Sequence, residues 1–181
     1  SQLINLLPRW VEKFCAAGFY VVRMDNRDVG MSSKTNGEPP TMEALIESWS
    51  GDRSVTDVEA QYDLSDMAMD CVAVMNELGL QQTHVWGMSM GGMIAQTLAI
   101  NHPDRLASMT SVMSTTGEPG VGRSTSQSAA QLLTEGADRE EVVSNAVAAR
   151  KLHSGSLYDE GWARALEEAA YDRCYHPDGK I

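Results

Sequence analysis

The residues with the clearest chemical potential are Gly87-Met88-Ser89-Met90-Gly91-Gly92, which set a serine in the spacing G-x-S-x-G. A serine hydroxyl is a weak nucleophile until a base takes its proton. This spacing suits one way of presenting it. A serine on a sharp turn from strand to helix is held in strained backbone dihedrals, with Oγ projecting from the sheet edge. Small residues two before and two after leave room for neighbouring backbone. The helix that follows offers unpaired N–H groups to a developing oxyanion, and Met90 would supply one of them. Together these parts serve acyl transfer: Ser89 Oγ attacks a carbonyl carbon and the Met90 amide holds the oxyanion.

That chemistry needs a strand before Ser89 and a helix after it. Residues 83–87 (THVWG) have strand composition, and Met93, Ile94 and Leu98 mark a helix over 90–101 that stops before Pro103. Upstream, Pro8 suits a first helical turn and Gly18 a C-terminal cap. Between them Trp10, Val11, Phe14 and Cys15 share one face. FYVVRM (19–24) predicts a buried strand, and the polar turn DNRDVG (25–30) follows it. Residues 31–62 read mostly as loop, with a short helix over 41–49. Asp63 predicts a helix cap, Leu64 to Leu78 carry helical spacing, and Gly79 ends the pattern. LASMTSVM (106–113) predicts a third strand. Strands alternating with helices imply an α/β fold with parallel strands, whose ligand site lies at their carboxyl ends.

After residue 113 the character changes. Residues 114–128 form a Gly/Ser/Thr linker, and 129–172 carry helical patterns without strands. One runs through Val142, Val143, Ala146, Val147 and Arg150; another through Trp162, Leu166, Ala169 and Ala170. The charge run DREE (138–141) fits a solvated first turn. Two regions result: 1–113 as core and 114–181 as a helical segment.

Composition narrows the field. A chain of 181 residues, 43% hydrophobic and 22% charged, is a globular chain of about one domain. No apolar run approaches the ~20 residues that span a membrane. With 14 Lys and Arg against 25 Asp and Glu, the formal charge is −11, which disfavours phosphate backbones and hence nucleic acid. Cys15, Cys71 and Cys174 are scattered and show neither a disulfide framework nor zinc spacing. That usage points to a reducing, cytoplasmic setting. No metal or organic cofactor is expected, and nothing specifies an oligomeric state. Cys71 lies on an apolar helix face and reads as core. Among the 11 methionines, Met88, Met90 and Met93 flank Ser89 and Met113 ends the third strand. Core packing accounts for most methionines; flexible lining for a bulky apolar ester is the alternative.

Residues 8–113 resemble the middle of an α/β hydrolase. DNRDVGMSSK (25–34) is similar to the Asp-x-Arg-x-x-Gly-x-Ser turn after that fold's fourth strand. YDLSDMAMDCVAVMNELGL (62–80) resembles the helix before the nucleophile turn, and VWGMSMGGMIAQTLAINHPDRLASM (85–109) resembles that turn, its helix and the sixth strand. The DNRDVG variant looks most like the aclacinomycin-methylesterase-like and proline-iminopeptidase-like esterase branch. The resemblance implies a serine hydrolase acting on a small-molecule ester, with 114–181 as its cap. C–C hydrolases, proline-directed peptidases and cofactor-free haloperoxidases share the same turn. A serine at position 89 argues against the carboxylate-nucleophile dehalogenases and epoxide hydrolases.

The same resemblance places three parts outside the chain. The loop giving a second oxyanion amide would precede Ser1, and the triad acid and histidine would follow the cap. A strand before Ser1 would lie between 19–24 and 83–87; without it those strands must pair directly or leave amides unpaired. His84, in a strand, and His102, in a turn after the helix, read as structural. His153 and His176, in the expected cap, do not match the position of a base. Asp25 and Asp28 read as structural, with Asp25 and Arg27 bracing a neighbouring loop. Taken alone, the chain is expected to be a nearly inert hydrolase, and a non-catalytic binding member of the same fold is the rival reading.

Overall fold

A computed structural model describes residues 2–37, 41, 60–118, 121, 134 and 136–176. Helix α1 spans Pro8–Ala16, α2 Leu64–Glu77, strand β1 Thr83–Met88, α3 Met90–Asn101, strand β2 Leu106–Val112, α4 Arg139–Ser154 and α5 Glu160–Cys174. The expected helix over 41–49 and most of the 114–128 linker lie outside the described residues. By packing, the chain divides into two compact units, Ser50–Arg123 and Ser1–Trp49 together with Ser124–Ile181. This grouping differs from a division at residue 113.

The Ser50–Arg123 unit is a β-α-β arrangement with α2 packed on it. Asp63 caps α2: its Oδ1 accepts from the Ser65 and Asp66 amides at 2.6 and 3.0 Å, while Asp66 Oδ2 accepts from the Asp63 amide at 2.9 Å. This reciprocal box satisfies amides that a helix start leaves orphaned. Gly79, with φ +67°, then takes the left-handed position that ends a helix without steric penalty. Met67, Ala68, Val72 and Met75 of α2 bury against Ile94 and Leu98 of α3, with Val85 and Leu106 at the margin. β1 and β2 pair in parallel, Val85 opposite Met109 and Gly87 opposite Ser111. Arg105 fastens the entry to β2 by donating to the Leu80 and Gln81 carbonyls, both at 2.9 Å.

In the other unit, α4 and α5 start at aspartate caps. Asp138 accepts from the Glu141 amide and Asp159 from the Trp162 amide. The two helices meet at buried Val143 and Ala163. Ion pairs Arg139–Asp172, Arg150–Glu167 and Arg164–Glu140 flank that contact. The helical spacing picks out Trp162 and Ala169, yet both are exposed and it is Ala163 that faces inward. Trp162 instead lies under the Arg150 guanidinium, 5.6 Å from its ring centre.

Two expectations fail here. FYVVRM (19–24) is not a buried strand: it joins no ladder, and Tyr20 is 79% exposed. Composition gives strand preference, but a strand exists only where a neighbour takes its amides and carbonyls. Among the described residues the sheet has two strands, β1 and β2. The face of α1 is also less buried than its spacing suggests, with Val11 and Phe14 half-buried but Trp10 and Cys15 exposed.

The turn 25–35 is built around two buried aspartates. Asp25 accepts from the amides of Leu3 (2.7 Å) and Met31 (2.9 Å) and from Arg173 Nη2 of α5 (2.7 Å). Asp28, at φ +63°, accepts from the Thr35 amide and hydroxyl at 2.6 and 2.7 Å. Both are structural, and the arginine paired with Asp25 is Arg173, from the far end of the sequence.

Candidate active site

The site sits where β1 hands over to α3. Ser89 is the single residue between them, at φ +54° and ψ −123°. A side chain rarely adopts such a backbone, and it persists only where surroundings over-determine it. Two contacts do so. The Ser89 amide donates to the Val112 carbonyl at 2.9 Å, tying the turn to the end of β2. The Ser89 carbonyl accepts from the Gly92 and Met93 amides at 2.8 and 3.3 Å, starting α3.

Gly87 shows why the turn needs glycine. A Cβ there would lie 2.0 Å from the Gly91 carbonyl oxygen, an impossible approach. The crowding is one-sided, because a Cβ at Gly91 would meet nothing within 4 Å. The second tight position is Gly92, where a Cβ would stand 2.6 Å from Ser114 Cβ and 2.7 Å from Ser111 Oγ. The spacing alone missed this residue; the Gly-Gly doublet opening an apolar helix was the available signal.

Ser89 is exposed, and its hydroxyl makes no cap bond to α3, the usual task of a serine at this position. Since α3 opens at Met90, the amides of Met90 and Gly91 have no intrahelical acceptor. An exposed hydroxyl thus stands beside free donors at a helix N-terminus, where negative charge is favoured. That is an arrangement for a nucleophile and an oxyanion.

No histidine of this unit stands beside Ser89. His84 Nδ1 hydrogen-bonds Ser108 Oγ across the two strands at 2.8 Å. His102 terminates α3, the other end of a 12-residue helix about 18 Å long. His153 closes α4 and His176 follows α5, both in the other unit. Burial, aided by the neighbouring Asp70 charge, pushes the Cys71 thiol up to about 11, so it stays protonated and inert at neutral pH. Of the methionines, Met67 and Met75 are core, whereas Met88 is 40% and Met113 71% exposed beside the turn. Among the described residues no group of three or more His, Cys, Asp or Glu is placed to hold a metal, and no helix is long and apolar enough to cross a membrane.

The family model for the alpha/beta hydrolase fold matches residues 4–144. The chain belongs to this family. Among its curated relatives, "Putative carbamate hydrolase RutD" of Caulobacter vibrioides (strain NA1000 / CB15N) is 41% identical over 78 residues, 39% of this chain and 29% of that protein. "Rhodomycin D methylesterase DauP" of Streptomyces sp. (strain C5) is 34% identical over 101 residues, 56% of this chain and 27% of that protein. The matches thus span less than a third of each curated relative. A solved hydrolase from Pseudomonas aeruginosa PA01 superposes with a TM-score of 0.54 at 19% identity, covering 99% of this chain and 58% of that one; it supports the fold alone.

Proposed function

We propose that the protein is a serine-dependent carboxylic ester hydrolase. The observation that carries this reading is the Ser89 backbone, held at positive φ between β1 and α3 with its hydroxyl off the helix. Backbone strain of this kind clusters at functional sites, which supports the reading. In the proposed reaction Ser89 Oγ attacks the ester carbonyl carbon and loses its proton to a general base. The carbonyl oxygen takes the negative charge and is held by the Met90 amide. Collapse expels the alcohol and leaves an acyl-serine, which water then hydrolyses. The mechanism further requires a general base, its acid partner and a second oxyanion donor, and we assign 114–181 to a cap.

The substrate class rests on the methylesterase relatives and on exposed Met88 and Met113, which suit a lipophilic methyl ester. Similarity to RutD favours a second reading, a carbamate, whose carbonyl is open to the same attack. Three free thiols fit a cytoplasmic location. The test is turnover of matched methyl esters and carbamates by the full-length gene product and its Ser89→Ala variant. Ester turnover that the variant loses by about 10³-fold or more supports the proposal. Undiminished turnover by Ser89→Ala would move the reaction to another residue, and none by the native protein would leave a non-catalytic binding role.

A further inference from the structure

Gln96 lies one helical turn beyond Gly92 on α3. Its side-chain nitrogen stands 3.1 Å from the Gly92 carbonyl, 3.2 Å from the Thr115 carbonyl, 3.3 Å from Ser111 Oγ and 3.4 Å from Ser114 Oγ. An amide nitrogen carries two hydrogens, so these four acceptors share them, and one NH₂ can serve both a helix carbonyl and a segment beyond a strand. The acceptors come from two places. Gly92 belongs to the first turn of α3, whereas Ser111 is the penultimate residue of β2 and Ser114 and Thr115 follow the strand. Gly92 has no side chain, and the Ser114 side chain occupies that space.

Between these contacts sits Met113, at φ +46°, the other non-glycine residue of this unit with positive φ among those described. Its neighbour Val112 accepts the Ser89 amide. The strained serine and the strained end of β2 therefore hold each other on the strand side, and Gln96 fastens the same two segments on the helix side.

We propose that Gln96 is a positioning residue for Ser89, clamping residues 111–115 to the first turn of α3 so that the Ser89 backbone and the Met90 amide keep their relative placement. This rests on the reading of Ser89 as nucleophile. It goes further in assigning a role to a side chain that touches neither substrate nor Ser89. A misplacement of about 1 Å at a reacting group can lower a rate by about a hundredfold, so a clamp of this kind acts on the chemical step more than on binding.

The experiment uses the full-length protein with Gln96→Met, which keeps length but removes both donors, and Gln96→Glu, which keeps shape but donates only when protonated. Rate constants of serine phosphonylation by a fluorophosphonate probe are measured per folded molecule, together with kcat and KM on a p-nitrophenyl ester. Gln96→Met should lower the phosphonylation rate and kcat by about tenfold with little change in KM. The ratio of Gln96→Glu to native rate should rise as pH falls from 8 to 5. Amide hydrogen exchange should quicken at Ser89–Met93 and 111–115 in Gln96→Met. Native rates per folded molecule, a flat pH ratio or unchanged exchange in these segments would overturn the proposal. If the native protein itself shows no labelling of Ser89, the nucleophile reading fails, and the exchange measurement still decides whether the clamp exists.

Discussion

At the scale of single residues, the turn is governed by what cannot be accommodated. Gly87 has no room for a methyl group, because the Gly91 carbonyl already fills the place a Cβ would take. Relief requires moving backbone at the start of α3, and overpacking of this kind costs about 1–3 kcal/mol or more. Gly87→Ala should therefore lower the urea midpoint and, in the full-length protein, remove serine reactivity. Gly91→Ala should leave both nearly unchanged. The contrast separates close approach from a general liking for glycine in the motif. The strand-to-helix turn at Ser89 and the crowding at Gly87 were legible in the sequence because their spacing is local. The contacts of Gly92 and Gln96 were not, since they involve Ser111, Ser114 and Thr115, which only the folded chain brings near.

At the scale of elements, helix boundaries were the most legible features, because caps and glycine stops are written within a few residues. Asp63, read as a cap, accepts from the first turn it precedes, and Pro8 opens α1. Strand pairing was less legible. FYVVRM has the composition of a strand, but pairing is decided by a partner elsewhere. The Asp25–Arg173 ion pair has the same character, linking residues 148 apart. Burial alone would push the Asp25 carboxyl up. The Arg173 guanidinium and the Leu3 and Met31 amides outweigh it, and the net effect holds the group below its ordinary 3.8. A carboxyl lowered on folding contributes stability that is complete above its unfolded value and lost as pH falls through its folded one. The Ser1–Trp49 and Ser124–Ile181 unit should therefore weaken below about pH 4. Arg173→Ala leaves a buried charge without its partner and should cost about 3 kcal/mol at neutral pH. That deficit should shrink in acid, where Asp25 protonates. Chemical denaturation of both proteins from pH 3 to 7 checks this; a deficit independent of pH would assign the loss to packing.

At the scale of the whole molecule, family membership follows from the match over residues 4–144, and the fold accounts for why a serine sits where it does. Function lives in the site and not in the fold, so the relatives' names supply candidates for the substrate and the proposed reaction is argued from the geometry around Ser89. The helical region after residue 113 was legible as helices, but its grouping with residues 1–49 was not, because that depends on contacts such as Gln2 with Ala170 and Cys174. The central claim is that Ser89 is a nucleophile. The most direct measurement is to treat the full-length protein with a fluorophosphonate probe and map the adduct by peptide mass spectrometry, with Ser89→Ala alongside. One adduct is expected, on Ser89, and it should be absent from the variant. Labelling at another residue, or none on a folded full-length protein, would contradict it.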